Sequence, residues 1–263
     1  MSDSIYNDIG KGLVGFAEGI KVFANALNKA QEWYQNHADT IASYLLAFAE
    51  FGVWSVAVDK LVQNQFVFTD DLSATLAQKI YQATDTDIDG LMSQYYFGND
   101  ETNMNRLIDR CQEAPQIHAY QDLYFQVISA YRLGYYQLAC IGLFSLIDGV
   151  LADVSDRIKD TRFKYRLSIA EKKFEDKLEL NEIDRKTLCI HSALQAFDAS
   201  IFCNSDFSKE EPSSVNRHWD VHGRTRREHT KIDFLKVLLW LDAIIYISES
   251  HTEQGKEEKH EQL

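Results

Sequence analysis

Apolar residues recur every three or four positions along most of this chain, which is the spacing of one face of an amphipathic α-helix. From Ile9 to Tyr34 they form a single stripe, and from Ile41 to Val58 the chain is apolar nearly all round. Shorter helices are predicted over 72–81 and 88–95, after an extended piece at 66–68. We therefore predict an all-α fold.

Polar residues mark the starts of the shorter helices. Thr69, Asp70 and Asp71 precede the first, and the run from Thr84 to Asp87 precedes the second. Serine, threonine and aspartate side chains accept hydrogen bonds from the first backbone N–H groups of a helix. We therefore predict that both runs act as helix caps.

The second half of the chain carries longer and more apolar helical patterns. Four helices are predicted, over Tyr120–Tyr131, Leu138–Val154, Leu188–Ile201 and Thr230–Ile247. The short break at Arg132-Leu133-Gly134 implies that the first two form an antiparallel hairpin. The other two helices are predicted to form a second hairpin, so this half is predicted to be an up-down four-helix bundle.

Pro115 is the best candidate for a domain boundary, because it ends one helical pattern just before another begins. A chain of 263 residues is long enough for two domains of about 100–150 residues each. We predict an N-terminal helical region of unknown role over 1–115, the bundle over 116–250, and a disordered polar tail over 251–263.

A membrane span is the alternative for the apolar run that ends at Val58. Glu50 lies at the centre of that run, where a charged side chain is costly in a bilayer. No basic stretch followed by an apolar one opens the chain. We expect a buried helix there, no membrane partner, and a cytoplasmic protein.

The net charge of −13 argues against a protein that coats nucleic acid nonspecifically, since such binding depends on basic groups that neutralise phosphates. The charge is uneven, however. Residues 216–231 contain five basic residues, two acidic residues and three histidines. This segment is predicted to be a local anion site on an acidic protein.

Metal and redox sites have little support in the sequence. The four cysteines are widely spaced and form no CxxC pair, so buried reduced thiols are expected. The acidic run from Asp85 to Asp89 lacks the glutamate that a calcium loop needs at its twelfth position, where Tyr96 stands. We expect no metal and no cofactor.

The segment around Arg217 concentrates the chemistry of the chain. Arg217, His218 and His222 are predicted to share one side of a helix. A guanidinium binds phosphate through two donors, and an imidazole gives or takes a proton near neutral pH. These groups suffice for metal-independent cleavage of RNA by its own 2′-hydroxyl.

Two other interpretations apply to the same residues. His218 and His222 have the spacing of zinc ligands, but the catalytic HExxH pattern requires glutamate where Trp219 stands, and no nearby cysteine completes a site. Alternatively, Arg217 and His222 only cap neighbouring helices and pair with Asp220 or Glu228.

The order of these features resembles the HEPN superfamily. The resemblance rests on Asn216-Arg217-His218-x-x-x-His222-Gly223 placed between a third helix and a long apolar fourth one, which matches the pattern R-x4-6-H. The upstream run through Gly134-Tyr135-Tyr136 into Leu143–Gly149 is similar to the first hairpin of HEPN-type bundles. The resemblance covers roughly 118–250.

The resemblance implies a metal-independent endoribonuclease that works as a homodimer with a shared cleft. Arg217 would hold the scissile phosphate, and His222 would be the general acid or base. Asn216 and His218 would orient or bind, and Asp148 would support the site from the second helix. The remaining basic residues are predicted RNA contacts, namely Arg224, Arg226, Arg227 and Lys231.

Two functional hypotheses follow. The first is a HEPN-type ribonuclease that acts as a toxin or in antiviral defence. The second is a noncatalytic HEPN-like module that dimerises or binds RNA. In either case the stripe from Leu13 to Tyr34 is a candidate surface for an antitoxin or partner helix.

Overall fold

A computed structural model of the chain describes a set of separate ranges: residues 52–69, 71–155, 163–175, 188–189, 192–196, 201–203 and 206–249. All regular elements in these ranges are helices, so the predicted all-α class is confirmed. The Ile9–Tyr34 stripe, most of the 41–58 run and the 251–263 tail lie outside the described residues.

The described residues contain nine α-helices that are numbered in chain order. They are α1 (52–63), α2 (Ala74–Gln82), α3 (Ile88–Phe97), α4 (Thr102–Glu113), α5 (Gln121–Arg132), α6 (Tyr136–Val154), α7 (Phe163–Glu175), α8 (Arg217–Val221) and α9 (Lys231–Glu249). Short 3-10 turns at Asp85–Asp87 and Pro115–Tyr120 lead into α3 and α5. Residues 188–189 and 192–196 are helical as well.

The predicted start of the first short helix is displaced by a buried loop. Helix α2 is capped by Ser73, whose hydroxyl accepts the N–H of Leu76 at 3.2 Å, and not by Thr69 or Asp71. Phe66 and Phe68 are fully buried, and Phe68 donates its N–H to Ser192 Oγ at 2.9 Å. The chain is irregular at 66–69 and inserts into the core there, which delays the helix.

The α5–α6 hairpin has the predicted antiparallel geometry. Gly142 of α6 faces Val127 of α5, and Gly149 faces Tyr120, just before α5. Residue numbers therefore rise along α6 in the direction in which they fall along α5. Gly134 ends α5 with a φ of 81°. The N–H groups of Gly134 and Tyr135 donate to the carbonyls of Tyr131 and Ala130, both at 2.9 Å, which is a Schellman motif.

Helix α9 forms the centre of the core. All ten apolar residues between 234 and 245 are at most 2% exposed. The helix packs against α4, α6 and α7. The third helix of the predicted bundle is described only at 188–189 and 192–196, where Cys189, Ala193 and Ala196 are buried. The up-down bundle itself therefore stays a prediction.

The described residues on either side of Pro115 lie in the same compact unit, and the predicted domain limits stay a prediction. Residues 53–263 form one compact unit, so the described residues between 53 and 115 belong with the later helices. An ion pair explains part of this continuity: Arg110 of α4 donates to both carboxylate oxygens of Asp242 of α9, at 2.8 and 2.7 Å. Sequence periodicity could not reveal that contact, because it joins residues distant in the chain.

The three buried charged residues of α9 among the described side chains are all paired. Asp233 accepts from Arg227 at 3.1 and 3.0 Å, and Lys236 lies 3.0 Å from Asp89. Asp242 forms the ion pair with Arg110 described above. A buried charge without a partner costs several kcal/mol. These three pairs therefore favour the arrangement in which the elements that carry the partner residues pack against α9.

The cysteines match the expectation of reduced thiols. Cys111, Cys140 and Cys189 are buried, Cys203 is partly buried, and none forms a disulfide. Burial, reinforced by the carboxylates of Asp233 and Asp220, raises the pKa of the Cys140 thiol well above its usual value. Cys140 is therefore a packing residue rather than a nucleophile.

By length and composition, α6 could cross a membrane, with a mean hydropathy of 1.6 over its best window. The core helix of a soluble protein meets the same criterion. Eight residues of α6, from Ala139 to Leu151, are buried against other helices of this chain. Packing against α5, α8 and α9 accounts for its apolar character.

The hairpin predicts opposite effects for two glycine-to-alanine changes. In Gly142→Ala the new methyl carbon would lie 2.3 Å from Val127 Cγ2, a stiff buried side chain, whereas Gly90 of α3 has nothing within 4 Å. Overpacking costs about 1–3 kcal/mol, while alanine gains up to ~1 kcal/mol in helix propensity. Urea unfolding should show Gly142→Ala destabilised and Gly90→Ala slightly stabilised. Equal shifts in both variants would contradict the close approach of α5 and α6.

The Asp233 pair predicts a pH-dependent contribution to stability. Burial raises the pKa of Asp233, but hydrogen bonds from Arg227 and Thr230 outweigh burial and leave the pKa below its usual value. The stabilisation is therefore present above the unfolded-state pKa of about 3.9 and is lost as pH falls through the lower folded-state pKa.

At neutral pH, Asp233→Asn should lower the free energy of unfolding by about 2 kcal/mol, since a charged hydrogen-bond partner is lost. The difference from wild type should shrink as pH falls below the unfolded-state pKa of about 3.9. Asp109→Asn, at an exposed carboxylate of α4, is the matched control. Chemical denaturation across this pH range measures both, and a gap that stays constant to the lowest pH would refute the assignment.

Candidate functional site

The segment from Asn216 to Gly223 folds as a single helical turn, shorter than expected. Asn216 caps α8 by accepting the N–H of Trp219 at 3.2 Å, and it is only 3% exposed. Gly223, with a φ of 64°, ends the helix. The N–H groups of Gly223 and Arg224 donate to the carbonyls of Asp220 and Trp219, at 3.1 and 2.9 Å. Asn216 thus has a capping role in this structure.

The predicted grouping of Arg217 with both histidines is only partly observed. His222 lies at the C-cap of α8, beyond its last helical residue. In the described part of the chain no hydrogen bond joins the side chains of Arg217 and His222. That Arg217 shares one side with both histidines therefore stays a prediction.

Arg217 instead pairs with Asp148 of α6. One guanidinium nitrogen donates to the Asp148 carboxylate in a short hydrogen bond, and both side chains are about one third exposed. Arg217 Nε is buried and makes no hydrogen bond within the described residues. The ion pair joins α8 to the hairpin, and it places together two residues that the HEPN resemblance had put in one site.

The two histidines gather around an aromatic ring that the sequence analysis did not single out. The imidazoles of His218 and His222 lie 4.9 Å apart, between ring centroids. Phe207 lies 4.4 Å from His218 and 5.7 Å from His222. The Arg224 guanidinium carbon lies 5.2 Å from the centre of the Phe207 ring. An isolated aromatic residue in the polar loop before Pro212 was the available signal.

The four predicted RNA contacts differ in their availability. Arg227 is held by Asp233, and Lys231 is paired with Glu101 of the turn before α4. The Lys231 pKa is raised, chiefly by its hydrogen bond to Glu101. Among the described residues, Arg224 and Arg226 have no acidic side-chain partner, and both are exposed. Those two are the cations best placed to meet a phosphate.

A second buried pair anchors the segment from the other side. Asp220 and His229 are almost completely buried, with His229 Nε2 3.1 Å from Asp220 Oδ1. The Thr225 hydroxyl donates to the same carboxylate oxygen. Asp220 had been considered only as a partner for Arg217 or His222, and His229 had no role. The position of His229 just ahead of a long apolar helix was the one signal in the sequence.

Together these contacts build a rigid, polar surface. Asp148, Asp220 and Asp233 fix the segment, while His218, His222 and Arg224 remain accessible around Phe207. Within the described residues no group of three or more His, Cys, Asp or Glu side chains could hold a metal ion. Exposed imidazoles near neutral pH can transfer protons, and an adjacent guanidinium can bind a phosphate.

Comparison with known proteins gives no match to a family model, to a curated protein or to a solved structure. The site is therefore interpreted from its own geometry and from the motif resemblance described above.

The capping role of Asn216 generates a stability prediction. Asn216→Ala removes the acceptor for the Trp219 N–H and should lower the free energy of unfolding by about 1 kcal/mol. Asn216→Ser keeps a capping oxygen and should lose less. Thermal unfolding of both variants beside wild type measures the difference. If alanine and serine prove equally destabilising, the side chain acts through packing and not as a cap.

Proposed function

We propose that this protein is a HEPN-type, metal-independent endoribonuclease. The observation that carries the proposal is the Arg217–Asp148 ion pair, which joins the helix of the R-x4-H segment to the second helix of the hairpin. The HEPN resemblance led us to expect an acidic residue of that helix beside the arginine. The accessible histidines on the same segment add the proton-transfer groups that such a reaction needs.

In the proposed reaction the RNA 2′-hydroxyl attacks the adjacent phosphorus atom. A new bond forms between the 2′-oxygen and phosphorus as the bond to the 5′-oxygen breaks, which yields a 2′,3′-cyclic phosphate and a 5′-hydroxyl. His222 accepts the 2′-hydroxyl proton or donates one to the leaving 5′-oxygen. Arg217 exchanges its contact with Asp148 for the phosphate and stabilises its developing charge.

A homodimer is part of the proposal, because the resemblance implies a cleft shared by two copies. Two copies bring two histidines, so one can act as base while the other acts as acid. RNA is the proposed substrate, and a toxin or antiviral-defence effector is the proposed cellular role. An antitoxin or partner helix bound to the N-terminal region remains the proposed form of control.

A noncatalytic RNA-binding or dimerisation module is the second candidate. The observation that favours it is the compensation of charge in the segment, where Arg217, Arg227 and Lys231 each have a carboxylate partner. In that case Asp148 holds Arg217 permanently, and the exposed Arg224 and Arg226 supply the attraction for RNA.

Cleavage of single-stranded RNA in the presence of EDTA tests the first candidate. His222→Ala should lower the rate by about 10²–10⁴-fold, as is usual for loss of a general acid or base. Arg217→Ala should lower it by about 10²–10³-fold. His118→Ala, at an exposed histidine before α5, is the matched control and should cleave as wild type does.

The product ends and the oligomeric state complete this test. Fragments should carry 2′,3′-cyclic phosphates, and sedimentation should show a dimer at micromolar concentration. Cleavage at an unchanged rate by His222→Ala, or loss of cleavage in EDTA, would refute the catalytic assignment. RNA binding without any cleavage would support the noncatalytic module.

A further inference from the structure

An open cleft beside the turn of the α5–α6 hairpin has no role in the reaction described above. Its volume is about 510 Å³, within the range of about 300–1,000 Å³ that is typical of small-ligand sites. The hairpin contributes Tyr135, Tyr136 and Leu138, and the segment before α9 contributes Glu228 and His229. None of these residues is assigned to phosphate binding or proton transfer.

The wall formed by the hairpin is aromatic and accessible. Tyr135 is 62% exposed and Leu138 is 61% exposed. The Tyr136 ring lies 6.0 Å from Tyr131, which in turn stacks on Phe234 of α9 at 4.3 Å. Tyr136 is thus supported from the core, whereas Tyr135 presents its ring to solvent. Exposed aromatic rings of this kind stack on unpaired nucleobases.

The opposite wall carries two groups that can form hydrogen bonds with a ligand, Glu228 and His229. Glu228 is exposed, and its carboxylate makes no ion pair with any described residue. His229 is 5% exposed, its Nε2 lies 3.1 Å from Asp220 Oδ1, and its Nδ1 makes no hydrogen bond within the described part of the chain. A buried polar group of this kind costs free energy until a partner satisfies it.

We propose that this cleft binds an unpaired guanine base of the RNA substrate. Guanine presents two adjacent donors, N1–H and the N2 amino group, to the Glu228 carboxylate, and its O6 accepts from a donor such as the His229 imidazole. Adenine, cytosine and uracil do not present two adjacent donors on that edge. Stacking on Tyr135 or Tyr136 would hold the base in place.

The inference rests on the proposed function, because it takes RNA as the ligand, and it deepens that function by naming the base. Glu228 follows His222 by six residues, which span at most about 20 Å. His229 is also tied to α8 through Asp220, at 3.1 Å. A short stretch of single-stranded RNA can therefore reach both the base cleft and the Arg217 segment.

Binding of uncleavable oligonucleotides by the full chain tests the inference separately from catalysis. The probes are fluorescent 2′-O-methyl uridine octamers with one central guanine, hypoxanthine, adenine or cytosine, which have no 2′-hydroxyl to attack. Guanine should bind about 5- to 150-fold more tightly than adenine or cytosine, the discrimination usual for a bidentate base contact. Hypoxanthine, which lacks the N2 amino group, should fall between them.

Two variants separate the base contact from the stacking surface. Glu228→Gln, at an exposed position, should abolish the preference for guanine, with Glu113→Gln of α4 as the matched control. Tyr135→Ala should weaken binding of every probe by about 5- to 150-fold. Tyr81→Ala, at a tyrosine that is 42% exposed on α2, should leave binding unchanged.

Each outcome bears on the inference. Equal affinity for all four probes, no binding of any probe, or a guanine preference that survives Glu228→Gln would overturn it. So would self-association that Tyr135→Ala abolishes without any effect on the probes, because the cleft would then be a protein contact. If the chain prefers guanine but cleaves no RNA, the guanine cleft is supported and the ribonuclease proposal is refuted. If it cleaves RNA with no base preference, the ribonuclease proposal is supported and the guanine cleft is refuted.

Discussion

Burial of α9 from Asp233 to Ile245 is the constraint on which the other contacts depend. A helix enclosed on all sides cannot leave a charge unpaired, yet it contains Asp233, Lys236 and Asp242. Their partners come from three different places, namely the segment before α9, helix α3 and helix α4. The apolar residues of α9 make its burial favourable, and the charged ones determine which elements surround it.

The same constraint organises the candidate site. Asp233 accepts from the N–H of Thr230 and from the side chain of Arg227, so the start of α9 and the segment ahead of it form one hydrogen-bonded unit. Asp220 reaches His229 from the other direction, and Asp148 holds Arg217. The chain between α8 and α9 is therefore fixed at both ends and in the middle. His218, His222 and Arg224 are carried on this fixed backbone.

Helical periodicity was sufficient to predict the elements, but not their contacts. The ends of α5 and α4 and the extent of α9 follow from local signals, namely Gly134, Pro115 and an uninterrupted apolar pattern. The Arg110–Asp242 pair acts across Pro115 and links the helices on its two sides. The start of α2 moved because Phe66 and Phe68 insert into the core, and only tertiary packing can decide that. Asp148 was identified through the motif resemblance, whereas only weak local signals mark Phe207, an isolated aromatic in a polar loop, and His229, just ahead of a long apolar helix.

The charge of the segment illustrates most clearly why counting residues is not enough. The sequence gives 216–231 an excess of basic groups, yet three of its five cations are matched by Asp148, Asp233 and Glu101, which lie outside that range. The remaining attraction for a phosphate comes from Arg224 and Arg226. With so little unpaired charge, electrostatic attraction alone would give the proposed RNA substrate a weak and salt-sensitive hold. Under that proposal, affinity and selectivity come from stacking and base-edge contacts, to which the exposed ring of Tyr135 and the partly buried ring of Phe207 are suited.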